Sequence, residues 1–94
     1  MIYRSPYPDV TIPDATLPEL ILGSALERGE KVALIDGPTG ATTTYAQLAR
    51  TVDRTAAGLD ARGFGKGEVA AIVTSNRSEF AVAFLAVARL GGIT

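Results

Sequence analysis

Three observations place this 94-residue chain in the α/β class, as the first part of a doubly wound, mainly parallel sheet. Stretches with apolar residues at helical period alternate with short runs that are apolar throughout. One such run, Val69 to Val73, has the unbroken apolar character of a parallel strand covered on both faces. The closing residues Gly91-Gly92-Ile93-Thr94 read as a helix stop followed by the β-branched start of another strand. Two well-defined strand regions are too few for a doubly wound sheet. The division is therefore an extended arm over residues 1–15 and an incomplete α/β subdomain over residues 16–94, with the sheet expected to continue beyond Thr94.

The arm holds Pro6, Pro8 and Pro13, which disfavour helix and remove ladder donors. Ile2, Tyr3 and Ile12 are expected to rest on the body of the protein. Thr16 and Glu19 have the spacing of a capping box, and a helix from there to Gly29 would turn Leu17, Leu20, Ile21 and Ala25 to one face. Val32 to Ile35 predicts a strand, Asp36 to Gly40 a turn, and Thr42 to Thr44 the return strand of a hairpin. Thr44 and Gln47 form a second capping box. Behind them Tyr45, Leu48, Ala49, Val52, Ala56 and Leu59 make an apolar stripe, ended by Gly63. A last helix runs from about Glu79 to Leu90, capped by Asn76 or Ser78. Almost every residue between Glu79 and Arg89 is apolar, so this helix is expected to be covered on several sides, by more protein than residues 1–94 supply.

Composition excludes several kinds of function. Nine basic and ten acidic residues leave a formal charge of −1, with no run of like charge to hold nucleic acid. With 47% hydrophobic and 20% charged residues the chain is globular in character. There is no His and no Cys, which removes imidazole acid–base catalysis, thiolate chemistry and most transition-metal sites. The longest apolar run, residues 81–88, is far short of the ~20 residues that span a bilayer, so no transmembrane segment is expected. The N-terminus, with prolines and an Asp where an apolar stretch would be needed, does not read as a signal peptide. A cytoplasmic location is the expectation.

Three motifs suggest ligand chemistry and have plainer readings. Gly63-Phe64-Gly65-Lys66-Gly67-Glu68 resembles a phosphate loop in composition, but it follows a helix and precedes a strand. Phosphate loops have the reverse order, so that a helix N-terminus faces the anion. It reads as a helix stop and turn with Lys66 in solvent. Gly37 to Thr44 has no Lys and joins two short strands, as a hairpin turn does. Asn76-Arg77-Ser78 lies at the carboxyl end of a strand, where α/β proteins place ligands, and Asn76 keeps a possible binding role on position alone. No carboxylates pair and no nucleophile has a base, so no catalytic, cofactor-binding or metal-binding residue is assigned within residues 1–94.

Residues 2–13, IYRSPYPDVTIP, resemble the N-terminal signature of 4-coumarate:CoA ligases. Residues 34–48, LIDGPTGATTTYAQL, resemble the same family's turn and following helix start, and residues 56–92 are similar to a stretch shared across the adenylate-forming superfamily. The resemblance implies an enzyme that uses ATP and Mg2+ to convert an aryl or fatty carboxylic acid to an acyl-adenylate, then passes the acyl group to CoA. It also implies that the nucleotide-contacting motifs lie outside residues 1–94, so that this stretch alone binds no ATP, Mg2+ or CoA and is inactive. Two other readings stay open: another adenylate-forming branch, luciferase-like or a peptide-synthetase adenylation domain, and a non-catalytic α/β association module. The apolar helix face at Phe80, Phe84 and Val87, or an open strand edge, is expected to make the isolated chain self-associate as a dimer.

Overall fold

The computed structural model describes residues 1–94 and contains four helices and one hairpin. In chain order these are α1 (Leu17–Leu22), α2 (Ala25–Arg28), β1 (Val32–Ile35), β2 (Thr42–Thr44), α3 (Tyr45–Ala61) and α4 (Ser78–Arg89). Residues 1–15 form no helix or strand and are exposed throughout. The extended arm is therefore present, but the expected packing is not. Ile2, Tyr3 and Ile12 are each at least 85% exposed, since Pro6, Pro8 and Pro13 keep the arm out of helix and sheet and every one of its residues is exposed.

Both capping boxes form. The Glu19 amide donates to Thr16 Oγ1 (3.3 Å) while Glu19 Oε2 accepts from the Thr16 amide (3.0 Å). Thr44 and Gln47 make the same reciprocal pair at 3.2 and 2.9 Å. The first helical region differs from expectation in one respect. It breaks at Gly23-Ser24, and α2 begins at Ala25. The inward line is consequently Pro18, Leu22 and Ala25, with Pro18 and Ala25 buried, while Leu17, Leu20 and Ile21 face solvent. A single uninterrupted periodicity was the wrong template for a helix in two parts.

β1 and β2 pair antiparallel, Val32 with Thr44, Leu34 with Thr43 and Ile35 with Thr42. The register shifts between Val32 and Leu34, so two residues of β1 oppose one of β2. This bulge lets the consecutive residues Ala33 and Leu34 both pack on the core. A regular strand would send them to opposite faces.

The core is the seam between α3 and α4. Leu48, Val52 and Ala56 of α3 meet Leu85 and Ala86 of α4, all five buried, with Leu22, Ala33, Leu34 and Leu59 packed around them. The stripe read from α3 is thus the buried stripe. Arg89 near the end of α4 pairs with Asp53 of α3 at 2.5 Å across the exposed rim of this seam.

The run Val69–Val73 is not a buried central strand. It forms one parallel bridge, Val69 with Ile93, and both Val69 and Val73 are largely exposed. The Ile93 amide donates to the Glu68 carbonyl and the Ala70 amide to the Ile93 carbonyl, each at 2.8 Å. The parallel pairing that the sequence predicts is therefore present, but reduced to a bridge, and the hairpin is antiparallel. α4 links the bridged residues, which makes a short βαβ unit. Gly91, at φ 75°, turns the chain from α4 into this bridge, and its carbonyl accepts from the Gly67 amide at 3.0 Å.

Two expectations for α4 also change. Its N-cap residue is Arg77, in extended conformation, and no side chain accepts a capping hydrogen bond there. Of the face at Phe80, Phe84 and Val87, Val87 is fully covered and Phe84 packs on the core cluster, leaving Phe80 about half exposed.

Candidate functional site

The concavity with the most chemistry lies between the hairpin turn and the start of α4. Asp36, Gly37 and Pro38 form one wall of an open groove of about 400 Å³; Asn76, Arg77 and Ser78 form the other, with Leu34 and Phe80 among the apolar lining. The hairpin fixes the first wall. The Asp36 amide donates to the Ala41 carbonyl (2.8 Å) and the Gly40 amide to the Asp36 carbonyl (2.7 Å), closing the turn. Asp36 Oδ2 also accepts a short hydrogen bond from Thr39 Oγ1. The second wall follows from the extended Arg77, whose guanidinium lies 3.4 Å from the Glu79 carboxylate.

Asn76, singled out for its place at the carboxyl end of a strand region, does line this groove. Its neighbours across the groove are exposed or half-buried. Asp36, Arg77 and Glu79 have mixed signs, Arg77 and Glu79 satisfy one another in solvent, and no polar or charged residue of the chain is buried. Sites that shift proton affinities for catalysis place such groups out of water. No three carboxylates converge to hold a metal ion.

The two glycine-containing motifs are structural, as their order in the chain suggests. In residues 63–68 the Gly65 amide donates to Glu68 Oε2 at 2.9 Å, and the methylenes of Lys66 lie against Gly91. Lys66 is exposed, as the sequence reading has it, while its stem passes close to Gly91. In residues 37–44 the loop closes the hairpin. The N-terminus of α3 is no anion site either, since its Tyr45 and Ala46 amides donate to the Lys31 and Gly29 carbonyls at 3.0 Å each.

A second concavity, of about 260 Å³, lies between α2 and α3, with Leu22, Ala25, Ala46 and Ala49 in its lining and Arg50, Asp53 and Arg89 also on it. Sequence reasoning missed it because the break at Gly23-Ser24 creates it. Nearby, the Arg28 guanidinium stacks 5.2 Å from the Tyr45 ring centroid and holds α2 to the start of α3. No helix of the chain is long and apolar enough to cross a membrane.

Comparison with known proteins gives this arrangement its family. A family profile described as AMP-binding enzyme matches residues 23–94. The chain is 42% identical to 4-coumarate–CoA ligase 3 of Oryza sativa subsp. japonica over 100% of its own length and 17% of the relative's. It is 39% identical to 4-coumarate–CoA ligase-like 1 of Arabidopsis thaliana over 98% of its length, again 17% of the relative's. The chain thus spans about a sixth of these curated relatives. Among solved structures it superposes on the N-terminal subdomain of Klebsiella oxytoca NpsA with a TM-score of 0.75 at 26% identity, over 82% of this chain and 20% of that one. A Mycobacterium tuberculosis fatty acyl CoA synthetase gives a TM-score of 0.74 at 28% identity, over 82% of this chain and 15% of that one. The profile covers most of the chain, and the chain belongs to the AMP-binding enzyme family.

Proposed function

We propose that residues 1–94 are the first part of the N-terminal α/β subdomain of an acid–CoA ligase of the 4-coumarate type. The longer protein would use ATP and Mg2+ to join an aryl or fatty carboxylate to AMP with release of pyrophosphate. The CoA thiol then displaces AMP to give a thioester. The observation that carries this reading is identity of 36–42% to several 4-coumarate–CoA ligases along essentially the whole chain. A luciferase-like protein of Zophobas morio superposes with a TM-score of 0.77, but at 19% identity that likeness speaks for the fold alone. Because ATP and CoA are the co-substrates, the cytoplasm is the compartment proposed for the enzyme.

Within this reading the subdomain supplies scaffold and the remainder of the enzyme supplies the nucleotide, metal and thiol sites. The isolated chain is proposed to bind none of these and to self-associate as a dimer. Support for the second point is the apolar surface left open outside the arm, where Phe80, Ile93 and Val69 are each about half exposed or more. The test is acid-dependent pyrophosphate release, followed by CoA-dependent thioester formation, by a protein containing this chain at its N-terminus, with hydroxycinnamates and fatty acids compared. Activation without transfer to CoA would overturn the ligase assignment. Pyrophosphate release by residues 1–94 alone would overturn the scaffold role.

A further inference from the structure

We infer that Asp36-Gly37, at the head of the hairpin turn, is a site of spontaneous backbone modification, where the Gly37 nitrogen attacks the Asp36 side chain and the link becomes isoaspartate. The inference concerns this chain whether or not the ligase reading holds, and the contacts that carry it lie within residues 36–41.

The attacking nitrogen is free. Gly37 lies between β1 and β2, and its amide donates to no backbone acceptor. An ideal Cβ placed on Gly37 meets nothing within 4 Å, so the space beside this nitrogen is open. Having no Cβ of its own, Gly37 puts no bulk in the path of the Asp36 carboxyl carbon. The other aspartates lack these features. Asp9 is followed by the β-branched Val10 and Asp14 by Ala15, while Asp53 and Asp60 lie inside α3, whose amides are engaged in the helix. One contact restrains Asp36. The Thr39 hydroxyl donates to its Oδ2, which favours the ionised carboxylate, whereas the neutral acid is the form that a nitrogen attacks.

The step needs no reagent but water. The Gly37 nitrogen forms a bond to Asp36 Cγ, and the carboxyl hydroxyl leaves with the amide proton as water, closing a cyclic imide. Water then opens the ring at either carbonyl. Opening at Cγ restores the original link. Opening at the other carbonyl routes the main chain through Cβ and Cγ and leaves the former Asp36 carbonyl carbon as a free carboxylate. Composition is unchanged, but the main chain is one atom longer. That atom falls where the turn is closed. The Asp36 carbonyl accepts from the Gly40 amide (2.7 Å) and the Asp36 amide donates to the Ala41 carbonyl (2.8 Å), next to the Ile35–Thr42 pair. With its carbonyl taken out of the main chain, Asp36 no longer closes the turn as built. Asp36, Gly37 and Pro38 are also one wall of the groove facing Asn76, so the modification moves that wall.

The test is ageing of the 94-residue chain at neutral pH in water enriched in heavy oxygen, followed by peptide mapping. Each passage through the imide leaves one heavy oxygen at residue 36, and isoaspartate is read separately with an isoaspartate-specific carboxyl methyltransferase. Label should collect at residue 36 several-fold faster than at Asp9, Asp14, Asp53 or Asp60. Gly37→Ala meets open space and a φ outside the left-handed region, so the hairpin should stay intact while labelling slows several-fold. Thr39→Val removes the donor to the carboxylate and should speed labelling several-fold. In the separated isoaspartate form, amide exchange should show protection lost at Gly40 and kept in α3. Label at residue 36 no faster than at Asp9 or Asp14, a Gly37→Ala chain that labels like wild type, a Thr39→Val chain that labels no faster, or an isoaspartate form that keeps its Gly40 protection would each overturn the inference.

Discussion

Gly92 is the position at which the turn after α4 leaves least room, and Gly92→Ala measures how tightly that turn is held. An ideal Cβ at Gly92 would lie 2.6 Å from both Cε1 and Cζ of Phe64 and 3.0 Å from Cγ1 of Val87. Contacts this short cannot persist, so the ring must swing away from the turn or the turn must lift off α4. The ring edge has some freedom because Phe64 is only partly covered, but Val87 is buried and fixed. The cost belongs in the lower part of the range for overpacking, about 1–2 kcal/mol. For a domain of 94 residues that is a fall in Tm of about 4–16 °C. The assay is thermal unfolding followed by circular dichroism at one fixed protein concentration, since association shifts apparent stability. A double-mutant cycle with Phe64→Ala identifies the cause: once the ring is gone, Gly92→Ala should cost a few tenths of a kcal/mol at most, a coupling of about 1 kcal/mol or more. Gly91→Ala is the contrast. Its penalty, about 1–2 kcal/mol, comes from a backbone at φ 75° and should be the same with or without Phe64. A Gly92→Ala variant that melts with the wild type, or loses as much in the Phe64→Ala background, would refute the close-approach argument.

The seam between α3 and α4 predicts that Val52→Asp, at a fully buried site, abolishes cooperative unfolding, because an unpaired carboxylate has no partner there. Arg50→Ala on the exposed side should stay within about 0.5 kcal/mol of wild type in the same denaturation assay. Deleting residues 1–13 should leave Tm unchanged, since every residue of the arm is exposed; a fall of several degrees would show that the arm packs on the body.

What the sequence made legible is what local chemistry decides. Thr16 with Glu19 and Thr44 with Gln47 satisfy helix-end amides within three residues, so their spacing alone located both helix starts. The stripe of α3 was legible because seventeen residues sample many turns, so chance periodicity is averaged out. The segment from Leu17 to Arg28 is too short for that, and Gly23-Ser24 divides it. The line Pro18, Leu22, Ala25 was hidden because a proline in a first turn does not look like a core residue. Val69–Val73 failed for a different reason. An apolar run states that a strand wants cover on two faces, but not which neighbours provide it. In this structure only Ile93 does. The groove beside Asn76 was legible by position, at the carboxyl end of that run, while its pairing partners across the hairpin turn were not.

The division of labour proposed for the enzyme follows from where the charges sit. A side chain does acid–base or nucleophilic work when the fold removes it from water and sets it against a specific partner. Here no polar or charged residue is buried, and the ion pairs Arg77–Glu79 and Asp53–Arg89 lie on the surface. Exposed pairs of this kind contribute at most about 1 kcal/mol and create no unusual reactivity. What the chain does hold firmly is apolar: the α3–α4 seam, and the Gly91-Gly92 turn packed beneath Phe64 and Lys66. That turn delivers Ile93 parallel to Val69, where backbone hydrogen bonds to Glu68 and from Ala70 fix its register. On the proposed reading, these residues transmit position rather than chemistry. Substitutions that loosen the Phe64–Gly92 contact should therefore lower the amount of active enzyme, through stability, and leave the KM for ATP and for the acid unchanged in the fraction that folds. Titrating active sites in a Gly92→Ala enzyme would separate the two effects. A raised KM at full occupancy of folded enzyme would show that this turn reaches the chemistry directly.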